Sequence, residues 1–215
     1  MMELIREREQ IIDYGKKLID AGLTVGTGGN ISIFDKESGM MAITPSGIEY
    51  YKLRNEDIVI MDLHGKVIEG ELKPSSEYQM HSVVYQNRMD AAAMIHTHAL
   101  YATTISCLNE DLPAVDYLVA HAGGPNIRCA KYATYGTKEL ADNAIAAMED
   151  RKAVLLANHG INVIGTNLDE AFAITEQLEF CARLYWQART IGKPVILDDE
   201  EMEMMVERFK TYGNQ

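Results

Sequence analysis

The sequence predicts a single mixed α/β domain, and three observations carry that expectation. Two short apolar runs, "AAAMIHTH" (91–98) and "AVLLANHG" (153–160), have the length of buried strands, and both run into histidine. The segments "ISIFD" (31–35) and "DIVIMDLHGKVIEG" (57–70) alternate or turn back in the manner of strands. Between and around them lie stretches with apolar residues at helical spacing.

In chain order, residues 3–21 form a helix, with Leu4/Ile5, Ile11/Ile12 and Leu18/Ile19 on one side and Gly22 as its stop. A glycine-rich loop, "TVGTGGN", leads into the strand "ISIFD". "MMAITPSG" is a second strand that ends in a Pro-Ser-Gly turn. Residues 57–70 are a hairpin turning at His64-Gly65. After "KPSS" a helix covers about 76–87, with Met80, Val83 and Val84 turned inward. "YGTKELADNAIAAMED" is a helix with Thr137 as its N-cap. "TNLDEAFAITEQLEFCARLYWQARTIG" is the longest helix, opened by Asn167 three residues before Glu170 and closed by Gly192. An acidic helix covers about 199–210. Nothing reads as a repeat or a linker, so residues 1–215 form one domain.

Composition narrows the function. With 20 basic and 32 acidic residues, the net charge of −12 disfavours a nucleic-acid surface and a polybasic membrane anchor. No apolar run reaches the length of a membrane span, and the charged start lacks the apolar middle of a signal peptide. Cys107, Cys129 and Cys181 show no paired spacing and read as reduced thiols. The expected location is the cytoplasm.

The chemistry sits in the histidines and the loops. His96 and His98 are two apart, so on a strand both rings would share a face and could bind one metal; a polar strand end is the competing account. His159 ends the other apolar run. If the two runs belong to one sheet, three imidazoles meet and leave an open position, the pattern of a catalytic zinc site. His64 reads as solvated, His81 as structural or supporting, and His121 stays open. "GTGGN" lacks the residues of a phosphate-binding loop for nucleotides and the spacing of a dinucleotide fingerprint. It is either an anion-binding nest or a plain turn. "TPSG" and "KPSSE" add hydroxyls and backbone N–H groups at a turn and a helix start, where phosphate or simple capping would both fit. Glu77 is a dipole-favoured cap or a general base beside metal and phosphate.

Taken together, "GTGGNIS", "TPSG", "KPSSEYQMH", "IHTHALYAT", "YLVAHAGG" and "LLANHGINVIG" resemble the class II aldolase and epimerase family, in order and approximate spacing from residue 26 to about 165. The resemblance implies a three-layer α/β/α fold around a mixed, mostly antiparallel sheet, and a homotetramer with active sites between subunits. It implies one zinc ion per subunit on His96, His98 and His159, with Glu77 as a displaceable fourth ligand and general base. It assigns phosphate to Gly29, Asn30, Ser46, Gly47, Ser75 and Ser76, with Thr27 close by. Tyr117 would be the catalytic tyrosine, and Tyr212 a second tyrosine facing substrate. The implied reaction is reversible cleavage of a phosphorylated ketose, L-fuculose 1-phosphate, to dihydroxyacetone phosphate and L-lactaldehyde, with no Schiff-base lysine. The 4-epimerases of pentulose 5-phosphates carry Asp where this chain has Glu77, which favours the aldolase side. A sugar-phosphate dehydratase or a non-catalytic interaction domain of the same fold are the remaining readings, and the intact ligand set argues against the last.

Overall fold

The computed structural model describes residues 2–211. Helix α1 (Ile5–Asp20) packs Ile11, Ile12 and Leu18 inward, as their spacing requires. Strands β1 (Asn30–Asp35), β2 (Met40–Ile43), β3 (Val59–Asp62) and β4 (Val67–Glu69) follow as an antiparallel meander. Then come α2 (Tyr78–Asn87), β5 (Ala93–Thr97) and α3 (Leu100–Ser106). A short stretch holds β6 (Leu112–Pro113), a 3-10 turn (Tyr117–Ala122), β7 (Asn126–Ile127) and β8 (Cys129–Ala130). The chain continues through α4 (Lys138–Ala147), β9 (Ala153–Leu156), β10 (Gly160–Gly165), α5 (Leu168–Ile191) and α6 (Asp199–Phe209).

Among the described residues the main sheet has eight strands in the order β4-β3-β2-β1-β5-β10-β9-β8. Every pairing in it is antiparallel except β8 with β9. Strand residues alternate between two cores. Ile31, Ile95, Leu155, Ile161 and Val163 join the side chains of α1, α3 and α5, while Met94, Val154, Leu156 and Ile164 join those of α2 and α4. Helices therefore cover both faces, which is the expected three-layer α/β/α arrangement with a mixed, mostly antiparallel sheet. Each large aliphatic side chain so buried contributes about 1.5–3 kcal/mol.

The caps inferred from sequence are present. Thr137 Oγ1 accepts from Leu140 N at 3.3 Å and Asn167 Oδ1 from Glu170 N at 2.8 Å. The Glu170 carboxylate returns to Thr166 N rather than to Asn167. The helix expected from about 76 begins two residues later, because Glu77 occupies the cap with non-helical backbone. Strand β10 and helix α3 went unread in the sequence. "GINVIG" is buried along its whole length and shows no alternation, and "LYATTIS" is a seven-residue helix rich in β-branched residues that favour strand. Arg8 is also unexpected. It is fully buried, donating to the carbonyls of Glu3, Asn55 and Ile58 and pairing with Glu69 at 3.0 Å.

Candidate metal and phosphate site

β1, β5 and β10 lie side by side, and their register places Asn30 opposite His96 and His96 opposite Asn162. All three side chains thus leave the sheet on the α2 side as one polar row through an apolar face. His98 is just past the end of β5, and His159 is in the tight β9–β10 connection. The two apolar runs are not neighbours, since β10 lies between them. The β9–β10 hairpin folds back so that its turn, and not the end of β9, carries His159 to β5. Gly160 permits that approach, because a Cβ there would stand 2.5 Å from the Thr97 carbonyl oxygen.

The result is a compact triad. His96, His98 and His159 each offer a ring nitrogen, all within 4.8 Å of one another. Ring centroids are 5.0 Å apart for His96–His98 and 4.8 Å for His96–His159. Asn162 Oδ1 lies 2.8 Å from His96 Nδ1, so Nδ1 carries the proton and Nε2 presents its lone pair to the cluster. Asn162 Nδ2 in turn rests on Met80 Sδ at 2.9 Å. Burial pushes the His96 pKa down to about 4, and burial followed by His159 pushes that of His98 down, so these rings are neutral donors at pH 7.

Glu77 completes the group. Its Oε2 is 3.2 Å from His96 Nε2 and its Oε1 is 3.5 Å from His159 Nε2. Burial opposes its ionisation, but His96, His159 and the hydrogen bond from Asn30 outweigh it, so its pKa lies below the usual carboxylate value. Oε1 is buried with no hydrogen-bond partner. Three imidazoles gathered beside an orphaned carboxylate oxygen fit a divalent cation.

A cleft of about 330 Å³ opens over this group. Thr27, Gly29, Asn30, Ser46, Gly47 and Ser75 line it, as does Glu77. Two backbone bonds, Ser46 N to the Lys73 carbonyl and Ser75 N to the Thr44 carbonyl, tie the second and third loops together. Among the described residues no lysine or arginine lines the cleft. An anion there would meet backbone N–H groups and hydroxyls, which suits a protein of strong negative charge. The Asn30 side chain is already engaged, since its amide donates to Glu77 Oε2 at 2.9 Å. Ser76 is exposed and does not line the cleft; its carbonyl packs against Gly136.

Several other sequence candidates lie elsewhere. Tyr117 is 48% exposed on the 3-10 turn, its ring stacked at 6.2 Å on Phe209, and it does not line the cleft. Tyr212 lies outside the described residues. His64 is exposed at its turn, and His121 stacks on Phe209 at 3.8 Å. The three cysteines are free, Cys181 buried and Cys107 exposed. Tyr132, Tyr135 and Asn158 line the cleft without having been singled out, and Asn162 was also missed. The one available signal was Asn158 beside His159; single tyrosines in a loop carry none.

Comparison with known proteins agrees with this geometry. Residues 9–186 match the family described as Class II Aldolase and Adducin N-terminal domain. A Bacillus thuringiensis protein named 5-deoxy-D-ribulose 1-phosphate aldolase is 55% identical over the whole of both chains. An Escherichia coli L-fuculose phosphate aldolase is 44% identical, covering 99% of this chain and 98% of its own. A solved structure titled L-fuculose 1-phosphate aldolase superimposes with a TM-score of 0.94 at 55% identity, covering 95% of this chain and 96% of that one. The chain belongs to the class II aldolase and adducin N-terminal domain family, and within it to the class II aldolases.

Proposed function

We propose that this protein is a zinc-dependent aldolase that cleaves a ketose 1-phosphate to dihydroxyacetone phosphate and an aldehyde. The observation that carries the reading is the meeting of His96, His98, His159 and Glu77 at the floor of a cleft walled by neutral phosphate-type loops. All-nitrogen ligation with one adjacent carboxylate suits zinc.

A divalent cation held by the three histidines would supply Lewis acidity for the negative charge that develops on the substrate oxygens. The loop residues Thr27, Gly29, Ser46, Gly47 and Ser75 orient the phosphate, and Asn30 borders the same pocket with its amide held by Glu77. The resemblance also assigns phosphate to Ser76, which does not line the cleft. In the cleavage direction Tyr117 acts as the base that takes the proton from the C4 hydroxyl as the C3–C4 bond breaks and its electron pair passes to the dihydroxyacetone phosphate fragment. Glu77, protonated for this step, gives its proton to C3, and exchange with solvent resets both groups. In the condensation direction the ionised Glu77 removes that proton, which matches its lowered pKa. Tyr117 stands outside the cleft of its own chain, which supports a homotetramer in which it serves a neighbouring subunit's site. Tyr212 is proposed as a second tyrosine that faces substrate.

L-Fuculose 1-phosphate is the first substrate proposed, supported by the relatives of that name. The 55% identical relative supports 5-deoxy-D-ribulose 1-phosphate as a second. Both leave dihydroxyacetone phosphate and an aldehyde ending in a methyl group, lactaldehyde from the first and acetaldehyde from the second. The test is a panel of L-fuculose 1-phosphate, 5-deoxy-D-ribulose 1-phosphate, L-rhamnulose 1-phosphate and L-ribulose 5-phosphate. It is scored for dihydroxyacetone phosphate release and for epimerisation, with metal content measured beside it. Release from either of the first two, with about one zinc per chain, is the expected result. Epimerisation without cleavage would overturn the reading.

A further inference from the structure

From Asn30 in the cleft wall a row of buried polar side chains runs behind Glu77, and three of them, His81, Ser32 and Tyr85, have no part in the reaction as described. Asn30 Nδ2 donates to Glu77 Oε2 at 2.9 Å, and Asn30 Oδ1 lies against His81 Nε2. His81 Nδ1 is 2.6 Å from Ser32 Oγ, which is 2.7 Å from the Tyr85 hydroxyl. All of these residues are buried, Ser32 and His81 completely. Two elements hold the row. Asn30 and Ser32 are two apart on β1 and share its α2-facing side, while His81 and Tyr85 are four apart on α2 and share its sheet-facing side.

The row has a direction. An amide donates through nitrogen and accepts through oxygen, so Asn30 Oδ1 needs a proton on His81 Nε2. Burial keeps the ring neutral, with a pKa pushed down to about 3. His81 Nδ1 is then a bare acceptor and takes the Ser32 hydroxyl proton. Ser32 Oγ is left to accept from Tyr85, whose hydroxyl also reaches the Ser32 carbonyl at 3.1 Å. The opposite tautomer would turn the Nε2 lone pair toward Asn30. The amide would have to rotate and set Oδ1 against the Glu77 carboxylate, replacing an attraction by a repulsion in a buried site.

The two oxygens of Glu77 therefore differ. Oε2 is held by Asn30, and Oε1, 3.5 Å from His159 Nε2, has no hydrogen bond. We infer that His81 is a positioning residue. Its Nε2–H, oriented by Ser32, locks the Asn30 amide onto Glu77 Oε2 and leaves Oε1 as the oxygen that exchanges the proton with the substrate carbon. The role of Oε1 rests on the aldolase reading; the tautomer and the amide orientation do not.

Three variants and one spectrum test this. His81→Leu removes the donor at similar volume, His81→Gln keeps an N–H at the position of Nε2, and Ser32→Ala removes the group that orients the ring. In the zinc-loaded enzyme, His81→Leu should lower kcat roughly 10- to 100-fold, the usual effect of losing a supporting hydrogen bond at such a site, with KM and zinc content unchanged. His81→Gln should recover most of that loss, and Ser32→Ala should fall between. In the metal-free wild type, ¹⁵N NMR of the His81 ring should show the Nε2–H tautomer. An Nδ1–H signature overturns the inference whatever the enzyme's substrate. So does an unchanged kcat in His81→Leu, an equal loss in His81→Gln, or a loss carried by KM or zinc content. Should His81→Leu fail to fold, Ser32→Ala decides: lower kcat supports the role, and unchanged kcat overturns it. If the wild type cleaves nothing in the panel, the aldolase reading has failed, and the NMR result still judges the tautomer.

Discussion

Glu77 and Asn162 show how single side chains set the chemistry here. Glu77 has a lowered pKa despite its burial, and the Asn30 amide donates to its Oε2; the proposed role for it is to move a proton. Glu77→Gln keeps the shape and removes that capacity. The variant should retain its fold and most of its metal and lose about 10²- to 10⁴-fold in cleavage rate, the range of general acid–base catalysis; steady-state assay with zinc analysis checks this, and normal turnover would show the base is wrong. Asn162 works indirectly, by keeping the proton of His96 on Nδ1. Asn162→Leu should weaken zinc binding about 10- to 100-fold, read by competition with a chelator. The histidines and Glu77 were legible in the sequence because their residue types are chemically loud. Asn162 was not, since one asparagine in "GINVIG" looks like a blemish in an apolar strand until the register sets it opposite His96.

Elements position these groups through close backbone approach as much as through packing. Gly29 has φ +75°, and a Cβ there would lie 2.5 Å from the His96 carbonyl oxygen. Gly47 has φ +74° with open space around it. Both substitutions to alanine carry the left-handed backbone cost of about 1–2 kcal/mol. Only Gly29→Ala also forces the first loop away from β5. It should lower stability by about 2–4 kcal/mol, and Tm by roughly 5–10 °C, while Gly47→Ala stays near the lower cost. Thermal melts of the two variants side by side check this, and equal losses would mean that the contact with His96 is unimportant. At this scale the capped helices were readable, because Thr137 and Asn167 announce their starts locally. Helix α3 and strands β6 to β8 were not. Their shortness leaves too few residues for a period to show, and packing against the rest of the protein decides their conformation.

For the molecule as a whole, buried neutral histidines tie stability to pH. His81 has its pKa lowered by burial from an ordinary 6.5 to about 3, so between these values the unfolded chain binds a proton that the folded chain refuses. Folding stability of the metal-free protein then falls as pH drops through that window. His81→Gln lacks this term, so the stability difference between wild type and variant should shrink by about 1.4 kcal/mol per pH unit below about pH 5.5. Urea unfolding at pH 7, 5.5 and 4.5 checks it; a constant difference would mean His81 is not the group responsible. The assembly makes its own prediction. If Tyr117 serves a neighbour's cleft, Glu77→Gln and Tyr117→Phe chains, each inactive alone, should regain activity when refolded together, with about a quarter of sites intact on random mixing. No regain would place Tyr117 within its own chain's site.

Local sequence alone was enough for the α/β class, the main helices with their caps, and the residue types of the candidate site. These follow from local periodicity and from the chemistry of histidine, carboxylate and glycine-rich loops. It took the folded chain to show that β10 lies between the two apolar runs, that a hairpin turn rather than a strand end delivers His159, and that the Asn30 amide is engaged by Glu77. The fold also decided that His81 belongs to the same network and that Tyr117 stands away from its own chain's cleft. The physical reason is that strand order and register come from which apolar faces can be buried together. That choice is made by the folded whole, across residues as far apart in sequence as Asn30, His96 and Asn162.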